Sequence, residues 1–139
     1  MRPLSLAAFV CLAASTPARA DGTLVRGEVT DSATGNPIAC RIYIEGENGT
    51  WHFLESKGGS AFEYRKQRKD NLRSVEMHTT LSAHPFAATL PAGRYTFTVE
   101  RGKEYLPESR VVTVGDAPVD LKFKLRRWID MSALRWDSG

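Results

Sequence analysis

Apolar and polar residues alternate one for one along much of this chain, and that period of two is what most restricts its fold. Val25, Gly27 and Val29 alternate with Arg26, Glu28 and Thr30. Cys40, Ile42 and Ile44 alternate with Arg41, Tyr43 and Glu45, and Tyr95, Phe97 and Val99 with Arg94, Thr96, Thr98 and Glu100. The cleanest run sets Val119, Leu121, Phe123 and Leu125 against Asp120, Lys122, Lys124 and Arg126. Such spacing turns one face of an extended strand to a core and the other to water. Shorter β-rich runs lie at 51–55, 74–81, 86–90 and 110–114. Turn residues punctuate them: 31–37, the Asn48-Gly49 pair, Pro91-Ala92-Gly93 and 115–118. Asn-Gly suits a tight hairpin with positive φ. No segment sustains a helical period. The pattern predicts an all-β fold, an antiparallel sandwich of seven to eight strands.

The first 20 residues do not share this pattern. Met1-Arg2 is followed by the apolar run Leu4–Ala14, a Thr16-Pro17 break and Ala18-Arg19-Ala20. This is the three-part form of a secretory signal, with cleavage expected after Ala20. The run is shorter than the roughly 20 apolar residues a bilayer span needs. A secreted or periplasmic protein is expected, with no stable membrane insertion after cleavage. Cleavage removes Cys11 and two of the 19 basic residues, leaving 17 against 16 acidic ones. The formal charge falls from +3 to +1, and Cys40 becomes the sole cysteine, with no disulfide to staple the fold. About 119 residues still suffice to bury roughly two-thirds of the unfolded surface.

Little in the sequence has the spacing of a catalytic or metal site. His52, His78 and His84 lie on separate segments without ligand spacing, so no metal and no cofactor is expected. Cys40 alternates in phase with Ile42 and Ile44, which places it on the apolar face as an inert thiol. Residues 65–73 hold five basic side chains and one acid, Asp70. With the Gly/Ser-rich stretch 57–61 before it, this charge run reads as an exposed loop. Arg65, Lys66 and Arg68 offer a contact for an acidic surface; export argues against nucleic acid as partner. Trp51, Tyr43 and Tyr64 are candidates for an aromatic platform on which a glycan could stack. The last stretch, 127–139, breaks the alternation and carries Trp128 and Trp136 with no obvious burial partner.

Two blocks resemble a known family. Gly27–Ile38 (GEVTDSATGNPI) is similar to the opening of carboxypeptidase regulatory-like domains, and Leu90–Val99 (LPAGRYTFTV) to their later hairpin. The resemblance implies a transthyretin-like, or prealbumin-like, sandwich over residues 23 to about 126. A narrower resemblance joins Glu100–Pro107, Leu125–Met131 and Trp136–Gly139 to secreted bacterial metallohydrolases of the PHP-like superfamily, carbaryl-hydrolase-like proteins among them. In that group a sandwich precedes the catalytic barrel, and a tryptophan-containing segment ending in Ser-Gly leads into an Asp-x-His-x-His metal motif. That motif has no counterpart in residues 1–139.

The expected organisation is therefore a signal peptide at 1–20, a sandwich at 21–126 and a lead-in at 127–139. The expected function is that of a non-catalytic accessory module of a secreted metal-dependent hydrolase, an N-terminal fragment of a longer protein whose partner in cis is the catalytic domain. The alternative is a carbohydrate- or protein-binding sandwich acting without one. Trp51, Tyr64, Arg65, Lys66, Arg68, Trp128 and Trp136 are the candidate contacts with ligand or domain.

Overall fold

The alternating runs become strands in the places their periodicity marks. The computed structural model describes residues 22–56, 58–67, 70 and 75–135. Among these are nine strands and no helix: β1 Thr23–Asp31, β2 Cys40–Gly46, β3 Trp51–His52, β4 Ala61–Gln67, β5 Val75–Leu81, β6 Phe86–Leu90, β7 Gly93–Glu100, β8 Glu108–Val114 and β9 Val119–Leu125. The leader with Cys11, and Arg68 and Trp136, lie outside the described residues.

The strands form two layers. A three-stranded sheet runs β6-β1-β9, and a larger one runs β4-β5-β2-β7-β8 with the short β3 beside β2. The core lies between them. Val25 and Val29 of β1, Phe86, Ala88 and Leu90 of β6, and Phe123 and Leu125 of β9 face Cys40, Ile42 and Ile44 of β2, Leu81 of β5, Tyr95, Phe97 and Val99 of β7, and Val112 and Val114 of β8. These are the in-phase residues of each alternation, and their burial is the main favourable contribution to folding. Cys40 is among them, a free buried thiol, and burial pushes its pKa up to about 12.

Gly27 sits in phase with Val25 and Val29 because no side chain fits there. It pairs with Phe86 on one side and Leu121 on the other. A Cβ at this point would meet Phe86 Cζ at 2.4 Å and the Leu121 carbonyl oxygen at 2.7 Å. The Phe86 ring therefore occupies the space a side chain would take.

Two expectations need correction. The sandwich is not wholly antiparallel, because β1 and β9 pair in parallel from Val25↔Val119 to Asp31↔Leu125. The chain reaches β9 by crossing from β8 in the other sheet, so β9 can enter running with β1. The charge run is not simply a loop either. Arg65, Lys66 and Gln67 belong to β4, which pairs along its length with β5, from Ala61↔Leu81 to Gln67↔Val75. β4 is an edge strand buried only at Ala61, so its sequence shows no contrast between faces.

The turns follow their residue chemistry. Asp31 closes the turn after β1: its Oδ1 accepts from the Ala33 and Thr34 amides at 2.7 and 3.1 Å. Gly35 then takes a φ of 73°. After β2, Asn48 Oδ1 accepts from the Thr50 amide at 3.1 Å, and Gly49 has a φ of 76°.

Candidate functional site

The outer face of the larger sheet gathers the aromatic and polar residues that point away from the core. Cross-strand register places Tyr64 of β4 beside His78 of β5, and Tyr43 of β2 beside Thr98 of β7. His78 bridges the two tyrosines. Its ring stacks on Tyr64 at 5.1 Å with 25° between planes, and lies 5.1 Å from Tyr43 at a tilt of 47°. The result is a file of three rings across three strands.

The file encloses His78 so fully that the residue is 4% exposed, although it lies on the outer face. Its Nδ1 is buried without a hydrogen-bond partner. Burial holds its pKa below the usual 6.5, the Arg41 cation adds to this, and Glu76 and Glu100 oppose it. A neutral imidazole between two tyrosine rings follows. The lack of ligand spacing around His78 gave no hint of these ring contacts; its place in phase with Glu76 and Thr80 was the available signal.

Beside the file is an open groove of about 230 Å³ lined by Tyr43, Glu45, Trp51, Thr96, Thr98 and Glu100. Trp51 enters it because β3 pairs Trp51 with Glu45. Tyr43 donates its hydroxyl to Glu100 Oε1 at 2.8 Å, and Arg41 lies 3.9 Å from the same oxygen. Burial, then the Glu100 carboxylate, push the Tyr43 pKa up to about 12, so the phenol stays protonated. The groove thus offers two aromatic side chains, two carboxylates and two threonine hydroxyls. Ring faces of this kind stack against apolar faces of a ligand while the oxygens take its hydroxyl or amine hydrogens. A second hollow of about 290 Å³, at the end of the β2–β3 and β6–β7 turns, is lined largely by turn residues, and its Tyr95 hydroxyl is taken by the Pro91 carbonyl at 2.8 Å.

The candidate residues therefore fall in three places. Tyr43 and Trp51 share the groove, and Tyr64 reaches it only through His78. Arg65 points elsewhere: its guanidinium lies 3.8 Å over the Phe53 ring and binds Glu63 at 2.7 Å. Lys66 faces Glu76 across β4–β5.

Trp128 is at the third place, on the segment after β9. This segment is pinned to the β7–β8 connection, and Glu104 is the hub. Its Oε2 accepts from Arg127 at 2.8 Å, its Oε1 from the Met131 amide at 2.9 Å, and its carbonyl from the Trp128 amide at 2.9 Å. The Trp128 indole N–H donates to the Lys103 carbonyl at 2.6 Å. Asp130 pairs with Arg127 at 3.1 Å and caps the turn through Ser132. The Trp128 side chain is nonetheless 59% exposed, with Leu106 and Leu134 also exposed.

Among the described residues no group of three His, Cys, Asp or Glu side chains is placed to hold a metal ion. No helix among them is long and apolar enough to cross a membrane. No protein-family model matches the chain, and no curated protein matches it significantly.

Proposed function

We propose that the chain is a non-catalytic accessory sandwich of a secreted metal-dependent hydrolase, its catalytic partner joined in cis beyond residue 139. The observation that carries this reading is the pinning of 127–131 by Glu104. A flexible tether would leave its two ends free to reorient, whereas a segment held by side-chain and backbone bonds fixes the direction in which the chain leaves the sandwich. Leu106, Trp128 and Leu134 are exposed apolar side chains on the same two segments, suited to packing against a neighbouring domain. Of the three sequence blocks that resemble the PHP-like enzymes, 100–107 and 125–131 are the two that meet here. A transthyretin-like fold, and export through the leader, belong to the same reading.

The coding sequence past Gly139 tests it. The expected result is an open frame that encodes an Asp-x-His-x-His motif soon after Ser138-Gly139. A stop codon directly after Gly139 would refute it. Metal-dependent hydrolysis by purified 21–139 that disappears with chelator would also refute the non-catalytic assignment.

A second reading is favoured by the groove. Tyr43 and Trp51 lie on one open surface with Glu45 and Glu100, an arrangement suited to a saccharide. Binding on a glycan array that is lost in Trp51→Ala supports this reading, and uniform lack of binding removes it.

A further inference from the structure

The two sheets end in four edge strands, β6, β9, β8 and β4, and single described contacts reach the first three. At β6, the Glu55 amide donates to the Ala87 carbonyl at 2.8 Å. At β9, the Lys124 amide donates to Glu108 Oε2 at 3.1 Å. β8 is tied to β9 through that same carboxylate and through the Arg110 guanidinium, 4.8 Å over the Phe123 ring. β4 likewise has one described strand partner, β5, and its Arg65 lies over Phe53, but it is the most exposed of the four: every residue from Phe62 to Gln67 is exposed. Phe62 is 67% exposed and Tyr64 42%. A free edge presents unpaired backbone amides and carbonyls to any strand that fits.

We infer that β4 pairs with β4 of a second copy of this chain, antiparallel about a two-fold axis at Tyr64, joining the two larger sheets into one. The charge sequence supports a second copy rather than an arbitrary strand. In an antiparallel pair, residues directly opposite lie on the same face, so a two-fold pairing of β4 with itself must be centred on a residue. Centred on Glu63, it sets Glu63 against Glu63. Centred on Arg65, it sets Arg65 against Arg65. Centred on Tyr64, it sets each Glu63 against Arg65 of the second copy, each Phe62 against its Lys66, and Tyr64 against Tyr64. Like charges directly opposite destabilise a sheet and opposite charges stabilise it. Of these three registers, charge favours the one centred on Tyr64. Within each copy Glu63 and Arg65 pair at 2.7 Å, so the two-fold brings two ion pairs together as a square of alternating charges. The Phe62–Lys66 opposition adds a cation over an aromatic ring on the other face.

Sedimentation equilibrium of the purified protein over a range of concentrations tests the inference. The wild type is expected to show a reversible monomer–dimer equilibrium. Glu63→Arg places arginine opposite arginine twice and should weaken dimerisation by about tenfold or more. The double variant Glu63→Arg/Arg65→Glu restores opposite charges in the same register and should recover the dimer. Circular dichroism verifies that each variant folds. Concentration-dependent hydrogen-exchange protection of the β4 amides gives a readout that needs no substitution. A wild type that stays monomeric with unprotected β4 amides overturns the inference. So does a dimer that Glu63→Arg leaves intact, or one that the charge swap fails to restore.

Discussion

Tyr105 donates its hydroxyl to Asp31 Oδ2 at 2.7 Å although 74 residues separate them. Both residues are buried. Asp31 ends β1 and holds the following turn with its other oxygen. Tyr105 lies on the β7–β8 connection, with the Arg101 and Arg127 guanidinium groups 5.6 and 5.4 Å from its ring. One hydrogen bond thus ties the first turn of the sandwich to the connection on which the C-terminal segment docks.

This pair makes stability depend on acid. The Tyr105 hydroxyl first, then the Ala33 and Thr34 amides, hold the Asp31 pKa below its ordinary 3.8. A carboxylate depressed in this way contributes stability that is full above 3.8 and is lost as pH falls through the lower folded value. Tyr105→Phe removes the largest cause, so the acid-unfolding midpoint followed by circular dichroism should move to higher pH. An unchanged midpoint would mean that the bond does not matter in solution.

His78 should add a second, milder dependence. Its folded pKa lies below 6.5, so the unfolded chain binds the proton more readily, and stability should decline as pH falls from 6.5 toward the folded value. His52, also lowered by burial, acts in the same direction. Urea midpoints between pH 7 and pH 5 should fall less steeply in His78→Phe, which keeps a ring between the tyrosines but cannot be protonated. A His78 pKa above 6.5 by NMR titration would contradict the buried, unpartnered Nδ1.

Core truncation should be expensive on both sheets. Phe97 and Phe123 are both 0% exposed and project from opposite layers. Phe97→Ala or Phe123→Ala should cost about 3–5 kcal/mol in chemical denaturation. A loss below about 0.5 kcal/mol for both would be incompatible with this packing.

Gly27→Ala tests crowding rather than loss. The added methyl would press on the Phe86 ring and on Leu121 backbone, and the backbone cannot give way as a flexible side chain can. A loss of about 1–3 kcal/mol is expected. Neutrality would show that the β6-β1-β9 sheet is looser than its register implies.

Releasing the docked segment should leave the sandwich intact. Glu104→Ala removes the acceptor for Arg127 and for the Met131 amide. Trypsin should then cut faster at Arg126 and Arg127, while the denaturation midpoint changes by no more than about 1 kcal/mol in free energy. Cleavage at the wild-type rate would mean the hub does not hold the segment.

The strands with one wet and one dry face were legible in the sequence. β1, β2, β7 and β9 alternate cleanly, and Cys40 is buried where its phase put it. β4 was not legible, because an edge strand exposed on both faces has no apolar face to repeat. Nor was the parallel β1–β9 ladder, since alternation gives a strand's faces but not its neighbour or direction. The same limit applied at the site. Tyr43, Trp51 and Tyr64 could be picked out as aromatic, but which of them share a surface depends on cross-strand register, and the His78 bridge depends on it entirely.

That parallel ladder also governs the order in which the molecule can assemble. Arg26 and Asp120, matched partners in it, form an ion pair at 3.0 Å across 94 residues of chain. β1 leaves the ribosome well before the strand that completes its sheet, which follows only at residues 119–125. Contacts this remote in sequence slow folding, because a long loop must close before they form. Until β9 emerges, the β1 valines lack the strand that flanks them opposite β6. The β6-β1-β9 sheet therefore stays incomplete until residues 119–125 have been made.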